Sequence, residues 1–244
     1  MSQGLQSFMI PGGGYGYTGT PVDDLTNVDN TVATAFFDES GSTRRYARQM
    51  ELCVQEVIKS LRHSPAADKL IYRQVHFDHD IREFHGFKPL ADCNEGDYDG
   101  CWGGGGTTDL YGCEDNVIRA TLDYAEQQAA KHYNVNAIIY GITDGAHYNP
   151  GGNASEDDAI KAMEDAVDCE ALESVMSILI GVNDSDTVQD ELKRHAQAVG
   201  YTQYVPLKDA DEKTLAKLAN FISQSVQSQS QALGSGGVSQ SLTF

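Results

Sequence analysis

Apolar and polar positions along the chain alternate between two rhythms. The run TVATAFFD, from Thr31, is short, apolar and rich in β-branched and aromatic residues, which predicts a buried strand. Residues 43–63 then place Tyr46, Met50, Cys53, Val54, Val57, Ile58 and Leu61 at spacings of three and four, the stripe of an amphipathic helix. Two further β-rich runs, residues 69–77 and 81–87, flank His79-Asp80 and predict a hairpin. A long loop (89–106) ends in four glycines and leads into a helix over about 109–132. Beyond it the rhythm repeats: a strand VNAIIYGITD, a helix from Ser155, a strand SVMSILIGVND, a helix over about 188–199, a strand YTQYVPL and a last helix from about Asp211.

Strands alternating with helices predict an α/β fold with a doubly wound, mostly parallel sheet covered on both faces. The early hairpin should add one antiparallel edge strand. Residues 1–30 are rich in Gly, Pro, Asn and Asp without a sustained period and read as an extended arm; residues 31–230 form the domain. The final stretch, SQSVQSQSQALGSGGVSQSLTF, turns to Ser, Gln and Gly and loses its apolar stripe, so it should lie beyond the core, with residues 231–244 as a tail. Its tip, Leu242, Thr243 and Phe244, is apolar again and is a candidate segment for capture by a partner's groove.

With 244 residues and 40% hydrophobic content the chain can bury one sizeable core. Its 36 acidic and 17 basic residues leave a formal charge of −19, with no basic cluster to neutralise phosphates, which argues against nucleic acid and anionic membranes as partners. The N-terminus shows neither a basic nor an apolar leader region, no run is long enough to span a bilayer, and five cysteines without paired C-x-x-C spacing suit reduced thiols. A cytoplasmic protein is expected. Cys93, Cys101 and Cys113 share one loop region but lack a matching fourth ligand for zinc.

Three segments carry the chemistry. Asp38-Glu39-Ser40-Gly41-Ser42 follows the first strand, Thr143-Asp144-Gly145 follows the fourth, and the glycine loop delivers Thr107-Thr108-Asp109-Leu110 onto a helix N-terminus. All lie on the side of the sheet where strands end, the side on which open α/β sheets bind ligands. Hydroxyl and carboxylate oxygens are hard ligands, suited to Mg²⁺, Mn²⁺ or Ca²⁺. The D-x-S-x-S match alone equally describes a helix start whose Ser40 or Ser42 caps backbone N–H groups. The ordered set of three motifs favours a metal.

That set resembles the von Willebrand factor A family over roughly residues 31–225, with the motifs of a metal-ion-dependent adhesion site. The resemblance implies that Ser40, Ser42 and Thr108 give hydroxyl oxygens to the cation while Asp38 and Asp144 act largely through water. Thr108 is chosen over Thr107 because Thr108-Asp109-Leu110 satisfies the family's Thr-x-Leu pattern. It further implies an intracellular adaptor that engages an Asp or Glu of a protein partner through the cation, and two settings: beside a MoxR-type AAA+ ATPase, or in stress and phage-related systems. A second reading is a structural subunit of a larger assembly, such as a phage particle, held by arm and tail. The third is a Mg²⁺-dependent phosphohydrolase with Asp38 as nucleophile, but Ser40 stands where a second aspartate is needed, so no enzyme is expected. His76, His79, His85 and His147 lack a nucleophile at defined spacing, Trp102 reads as loop packing, and glycines 103–106 lack the Gly-Lys-Ser/Thr of a phosphate loop.

Overall fold

A computed structural model describes residues 4–10, 15–152, 154–232 and Phe244. The elements in chain order are β1 (Gln6–Met9), β2 (Gly16–Gly19), β3 (Asp29–Asp38), α1 (Ala47–Arg62), β4 (Leu70–Phe77), β5 (Ile81–Pro89), α2 (Leu110–Ala129), β6 (Asn134–Thr143), α3 (Glu156–Val167), β7 (Ser174–Val182), α4 (Asp186–Val199), β8 (Gln203–Leu207) and α5 (Glu212–Ala232). The strands form one eight-stranded sheet in the order β1-β2-β5-β4-β3-β6-β7-β8. From β4 through β8 every pairing is parallel, while β5 runs antiparallel to β4.

The central strands are buried on both faces, which is why β3 reads as an uninterrupted apolar run. Ala33, Ala35 and Phe37 point into the core shared with α1 and α5, whereas Phe36 points into the core under α2, α3 and α4. Because β3 pairs with β4 on one side and β6 on the other, the chain changes direction of winding between β3 and β6. A crevice therefore opens at their carboxyl ends, where Asp38 and Thr143 stand.

Three expectations are corrected. The segment expected to be an extended arm outside the domain contributes β1 and β2 to the sheet, with Ile10 and Tyr17 buried. Tyr17 is held by ring contacts to Phe8, Phe87 and Tyr124, and its hydroxyl donates to Asp123 Oδ2 at 2.5 Å, so distant side chains supply what four-residue strands lack. The sheet has the one antiparallel edge strand expected, but it is β1, paired antiparallel to β2; the hairpin strand β5 lies inside, between β2 and β4, and the other edge is β8. Residues 223–232, expected beyond the core, continue α5, and Ser223, Ser225, Gln229 and Ser230 are buried. Gln229 Nε2 donates to Ser174 Oγ at 2.8 Å and its carbonyl accepts from Asn136 Nδ2 at 2.8 Å, so a polar helix face meets a polar patch at the start of β6 and β7. Residues 233–243 of the expected tail, including Leu242 and Thr243, lie outside the described residues. Phe244 is 44% exposed, with its ring 5.7 Å from that of Phe221 on α5.

The two N-terminal strands depend on one glycine. β2 meets β5 where Gly19 faces Phe87, and a Cβ added at Gly86 would stand 2.0 Å from the Thr18 carbonyl oxygen. Gly86→Ala should therefore push β2 off the sheet and lower stability by about 1–3 kcal/mol, the usual range for overpacking. Urea denaturation checks this, and an unchanged midpoint would show that β2 yields freely.

Candidate functional site

Asp38, Ser40, Ser42 and Asp144 sit where a strand gives way to a loop, and Thr108 sits at the end of the glycine loop before α2. Asp38 ends β3, and its carboxylate stays in place because Oδ1 accepts from Ser40 N at 2.8 Å and Oδ2 from Thr143 Oγ1 at 2.6 Å. Ser42 Oγ donates to Asp144 Oδ1 at 2.6 Å and lies 3.2 Å from Ser40 Oγ. The two loops are thus tied by side chains across the crevice. The glycine loop joins through the backbone: Gly41 N donates to Gly106 O at 3.2 Å. Two residues on, Thr108 is buried and pairs by backbone with Tyr148, and Asp109 caps α2, its carboxylate accepting from Gly112 N. Asp38, Ser40, Ser42 and Asp144 therefore share one hydrogen-bonded group, with Thr108 carried beside it on the third segment.

The electrostatics are those of a site with too many acceptors. Burial pushes Asp38 up to about 6, with the Asp144 charge adding to the rise and the bonds from Ser40 and Thr143 opposing it. Burial likewise raises Asp144, against the Ser42 hydrogen bond and the charge of Arg45. Asp144 Oδ2 is buried and accepts no hydrogen bond. Two buried carboxylates, one with an unpartnered oxygen, beside two hydroxyls make an oxygen-only donor group that a hard divalent cation fits. No convergent group of three His, Cys, Asp or Glu occurs among the described residues, so serine and threonine hydroxyls have to complete any such coordination.

Several supporting residues received no role from the sequence. Thr143 lies within the T-D-G motif yet is the residue that bonds Asp38. Asn183, at the end of β7, donates to the Asp144 carbonyl at 2.5 Å. Glu39, the unspecified second position of D-x-S-x-S, is buried and accepts from Arg82 Nη2 at 2.7 and 2.9 Å, from His76 Nδ1, and from Gly103 N at 3.4 Å. Burial would raise this carboxyl, but His76 and Arg82 hold it below its ordinary value. Asp78 accepts from Gly105 N through its side chain and from Asp109 N through its carbonyl. Glu39 and Asp78 together fix both ends of the glycine loop.

The remaining candidates are structural. His76 is buried, His85 bonds the Tyr98 hydroxyl at 2.9 Å, and His147 stacks on Tyr111 at 3.9 Å. Trp102 packs edge-on against Phe37 and His76. Cys93 and Cys101 belong to the core under α1 and α5, while Cys113 belongs to the core on the opposite face of the sheet, which separates the three thiols.

No family profile and no curated protein matches the chain. Among solved structures it is similar to the PilB minor pilin from Streptococcus sanguinis, with TM-score 0.59 and 11% identity over 86% of this chain and 63% of that one. It is also similar to the pilus adhesin SpaC from Lactobacillus rhamnosus GG, with TM-score 0.58 and 11% identity over 83% of this chain and 30% of the adhesin. A third similar structure is proximal thread matrix protein 1 from the mussel byssus, with TM-score 0.52 and 15% identity over 84% of this chain and 47% of that one. Another structure of the mussel protein has a zinc-occupied MIDAS motif, with TM-score 0.50 and 17% identity over 82% of this chain and 46% of that one. The chain spans less than two thirds of each of these proteins. These likenesses show the fold alone: a Rossmann-like α/β domain, with its oxygen-rich crevice at the switch point of the sheet. No helix among the described residues is long and apolar enough to cross a membrane.

Proposed function

We propose that the chain is a protein-interaction module that binds a partner carboxylate through a divalent cation, Mg²⁺ or else Mn²⁺ or Ca²⁺. The observation that carries this reading is the buried, unpartnered Oδ2 of Asp144 beside the Ser40 and Ser42 hydroxyls. Asp38, Ser40, Ser42, Thr108 and Asp144 hold the cation. When bound, it supplies an electrophilic centre on an otherwise acidic surface, to which an Asp or Glu of the partner binds. Hydroxyl ligands leave most of the positive charge uncompensated, so affinity concentrates at one point of the interface. Asp38 is 1% exposed with both oxygens engaged, which speaks against its use as a nucleophile.

The test is direct titration with Mn²⁺ followed by electron paramagnetic resonance, then capture of the partner from the native source with Mg²⁺ or with chelator. One bound Mn²⁺ is expected in the wild-type protein and none in Asp144→Ala or in Ser40→Ala combined with Ser42→Ala. Wild-type Mn²⁺ binding by both variants overturns the reading, as does capture that chelator leaves untouched.

A second reading, a subunit held within a larger assembly, draws support from similarity to a minor pilin and a pilus adhesin. Native mass and particle size of the protein from its source separate the two: a lone module or small complex supports the first, a defined large particle the second. In that assembly the cation would serve mainly the domain's own stability.

A further inference from the structure

A chain of charge −19 repels an acidic partner at a distance, so the surface around the crevice has to supply attraction at close range. It carries a pair of adjacent arginines. Arg44 and Arg45 follow Ser42 by two and three residues, and both are exposed. Arg44 reaches the glycine loop: its Nε donates to Gly104 O at 3.3 Å, and a Cβ added at Gly105 would stand 2.4 Å from its Nη2. Arg45 lies over the Tyr46 ring, with Cζ 4.6 Å from the centroid, and its charge opposes the rise of the Asp144 carboxyl. The pair therefore grows from the first segment of the crevice, and its two charges bear on the other two.

What sets these two apart is the lack of an acidic partner in a chain with twice as many acids as bases. Arg48, Arg73, Arg82, Arg119 and Arg194 each have a carboxylate oxygen at 3.1 Å or closer. Arg62 is engaged by the Cys93 carbonyl and the Asn94 side chain. Among the described residues Arg44 and Arg45 form no ion pair, and Glu39, on the same loop, is taken by His76 and Arg82. An exposed arginine is ordinarily just solvated. Here the two stand at the place where the ligand proposed above is itself an anion, with their carboxylate-binding forks unfilled.

We infer that the crevice docks an acidic segment of a protein partner, in which one carboxylate binds the cation and a neighbouring Asp or Glu is held by Arg44 or Arg45. The inference rests on the cation-dependent reading and narrows it to a partner with clustered acids. A nucleic acid needs a run of basic residues, and two arginines on so acidic a chain do not provide one. A small free anion gains little from exposed guanidinium groups in water. An acid joined to a carboxylate already on the cation arrives at high effective concentration, so the same weak contact adds usefully to affinity.

The test titrates two end-blocked peptides, Gly-Gly-Asp-Gly-Gly and Glu-Glu-Asp-Glu-Glu, into the full chain by calorimetry, with Mg²⁺ and with chelator. The all-acid peptide should bind the Mg²⁺-loaded protein about tenfold more tightly than the single-acid one, a gain of ~1.4 kcal/mol. Salt screens exposed charges, so the gain should be present at about 50 mM NaCl and lost at about 500 mM. Arg44→Gln combined with Arg45→Gln should abolish the gain and spare the single-acid peptide, and Arg44→Lys combined with Arg45→Lys should restore most of it. Mn²⁺ binding followed by electron paramagnetic resonance should not weaken in the glutamine variant, because removing two positive charges cannot repel a cation. The proposal is overturned if the gain survives in the glutamine variant, if the all-acid peptide binds equally well with chelator, or if inorganic phosphate binds the Mg²⁺-loaded protein more tightly. If the single-acid peptide binds with Mg²⁺ and further acids add nothing, the arginine pair is overturned while the cation reading stands; if neither peptide binds, both fall.

Discussion

In the metal-free protein at pH 7, Asp38→Asn should stabilise the fold by about 3 kcal/mol, although it removes a residue of the proposed cation site. The side chain is 1% exposed, and burial is the leading reason that its carboxyl rises from 3.8 to about 6. Each pKa unit corresponds to ~1.4 kcal/mol of preference for the protonated form. Since the folded state holds this proton more tightly than the unfolded chain does, the metal-free wild type should lose stability as pH rises from about 3.8 to about 6 and show the full penalty above that. Asparagine carries no charge and can still accept from Ser40 N, so the variant should be flat across the same window.

On the proposed reading, a divalent cation should reverse the order. Bound only by the folded state, it should stabilise the wild type by about 2.7 kcal/mol at a hundredfold excess over its dissociation constant, and the asparagine variant far less. Urea denaturation at pH 4 and pH 7, with chelator and with Mg²⁺, gives all four corners. If Asp38→Asn is less stable than the wild type at pH 7 without metal, the carboxylate is not the liability its burial implies. The expected pattern describes a site that costs the fold something in order to hold a cation.

His195→Ala should lower stability by about 3–5 kcal/mol, the cost of removing one partner from a buried charged pair. His195 on α4 is 3% exposed; its Nε2 lies 2.8 Å from Glu114 Oε2 on α2, and its Nδ1 lies 2.8 Å from Glu156 Oε1 on α3. Tyr201 also donates to Glu114 Oε1 at 2.7 Å, so removing the imidazole leaves a fully buried carboxylate with one neutral donor in place of a charged one. Burial by itself would lower the His195 pKa, but the Glu114 charge and the hydrogen bonds to Glu114 and Glu156 outweigh it and raise it. A raised histidine contributes stability that is complete below its unfolded value of about 6.5 and fades as pH rises through the folded value. The wild type should accordingly lose this contribution as pH rises above 6.5 and through the raised folded value, and His195→Ala should not. Parallel pH dependence in both proteins would show that the pair is neutral in the fold. Because α2 begins just after Thr108 and Asp109, this pair also anchors the helix that carries the third segment of the candidate site.

How far the chain alone disclosed its structure depends on the range over which each feature is stabilised. The alternation of strands and helices from Thr31 to Leu207 is written in hydrophobic periods that fit within windows of a dozen residues, and the sheet has the doubly wound, mostly parallel order that alternation implies. The loops after β3 and β6 were legible for the same reason, since strand ends and helix starts are marked by adjacent residues. β1 and β2 were not: each has four residues with little period, and Tyr17 is fixed by Phe87 and Tyr124 from far along the chain.

The end of α5 shows the converse. Ser223, Ser225, Gln229 and Ser230 look like a solvated tail by composition, yet all four are buried; Gln229 meets Asn136 and Ser174 across the sheet, while the three serine hydroxyls are enclosed without a hydrogen-bond partner. Composition is local, but burial is decided by what packs opposite.

Within the candidate site, the family resemblance carried by the three ordered motifs implied Asp38, Ser40, Ser42, Thr108 and Asp144 as oxygen ligands. The unpartnered Asp144 Oδ2, the Thr143 bond to Asp38, and the clamp of Glu39 by Arg82 and His76 belong to the tertiary structure alone. So do the two buried charged pairs, Arg73 with Glu83 and His195 with Glu114, the latter joining residues 81 positions apart. A charge becomes costly or useful only when solvent is withdrawn from it, and no single stretch of this chain reveals where water is excluded; that is settled by the closing of α2 and α4 over the sheet.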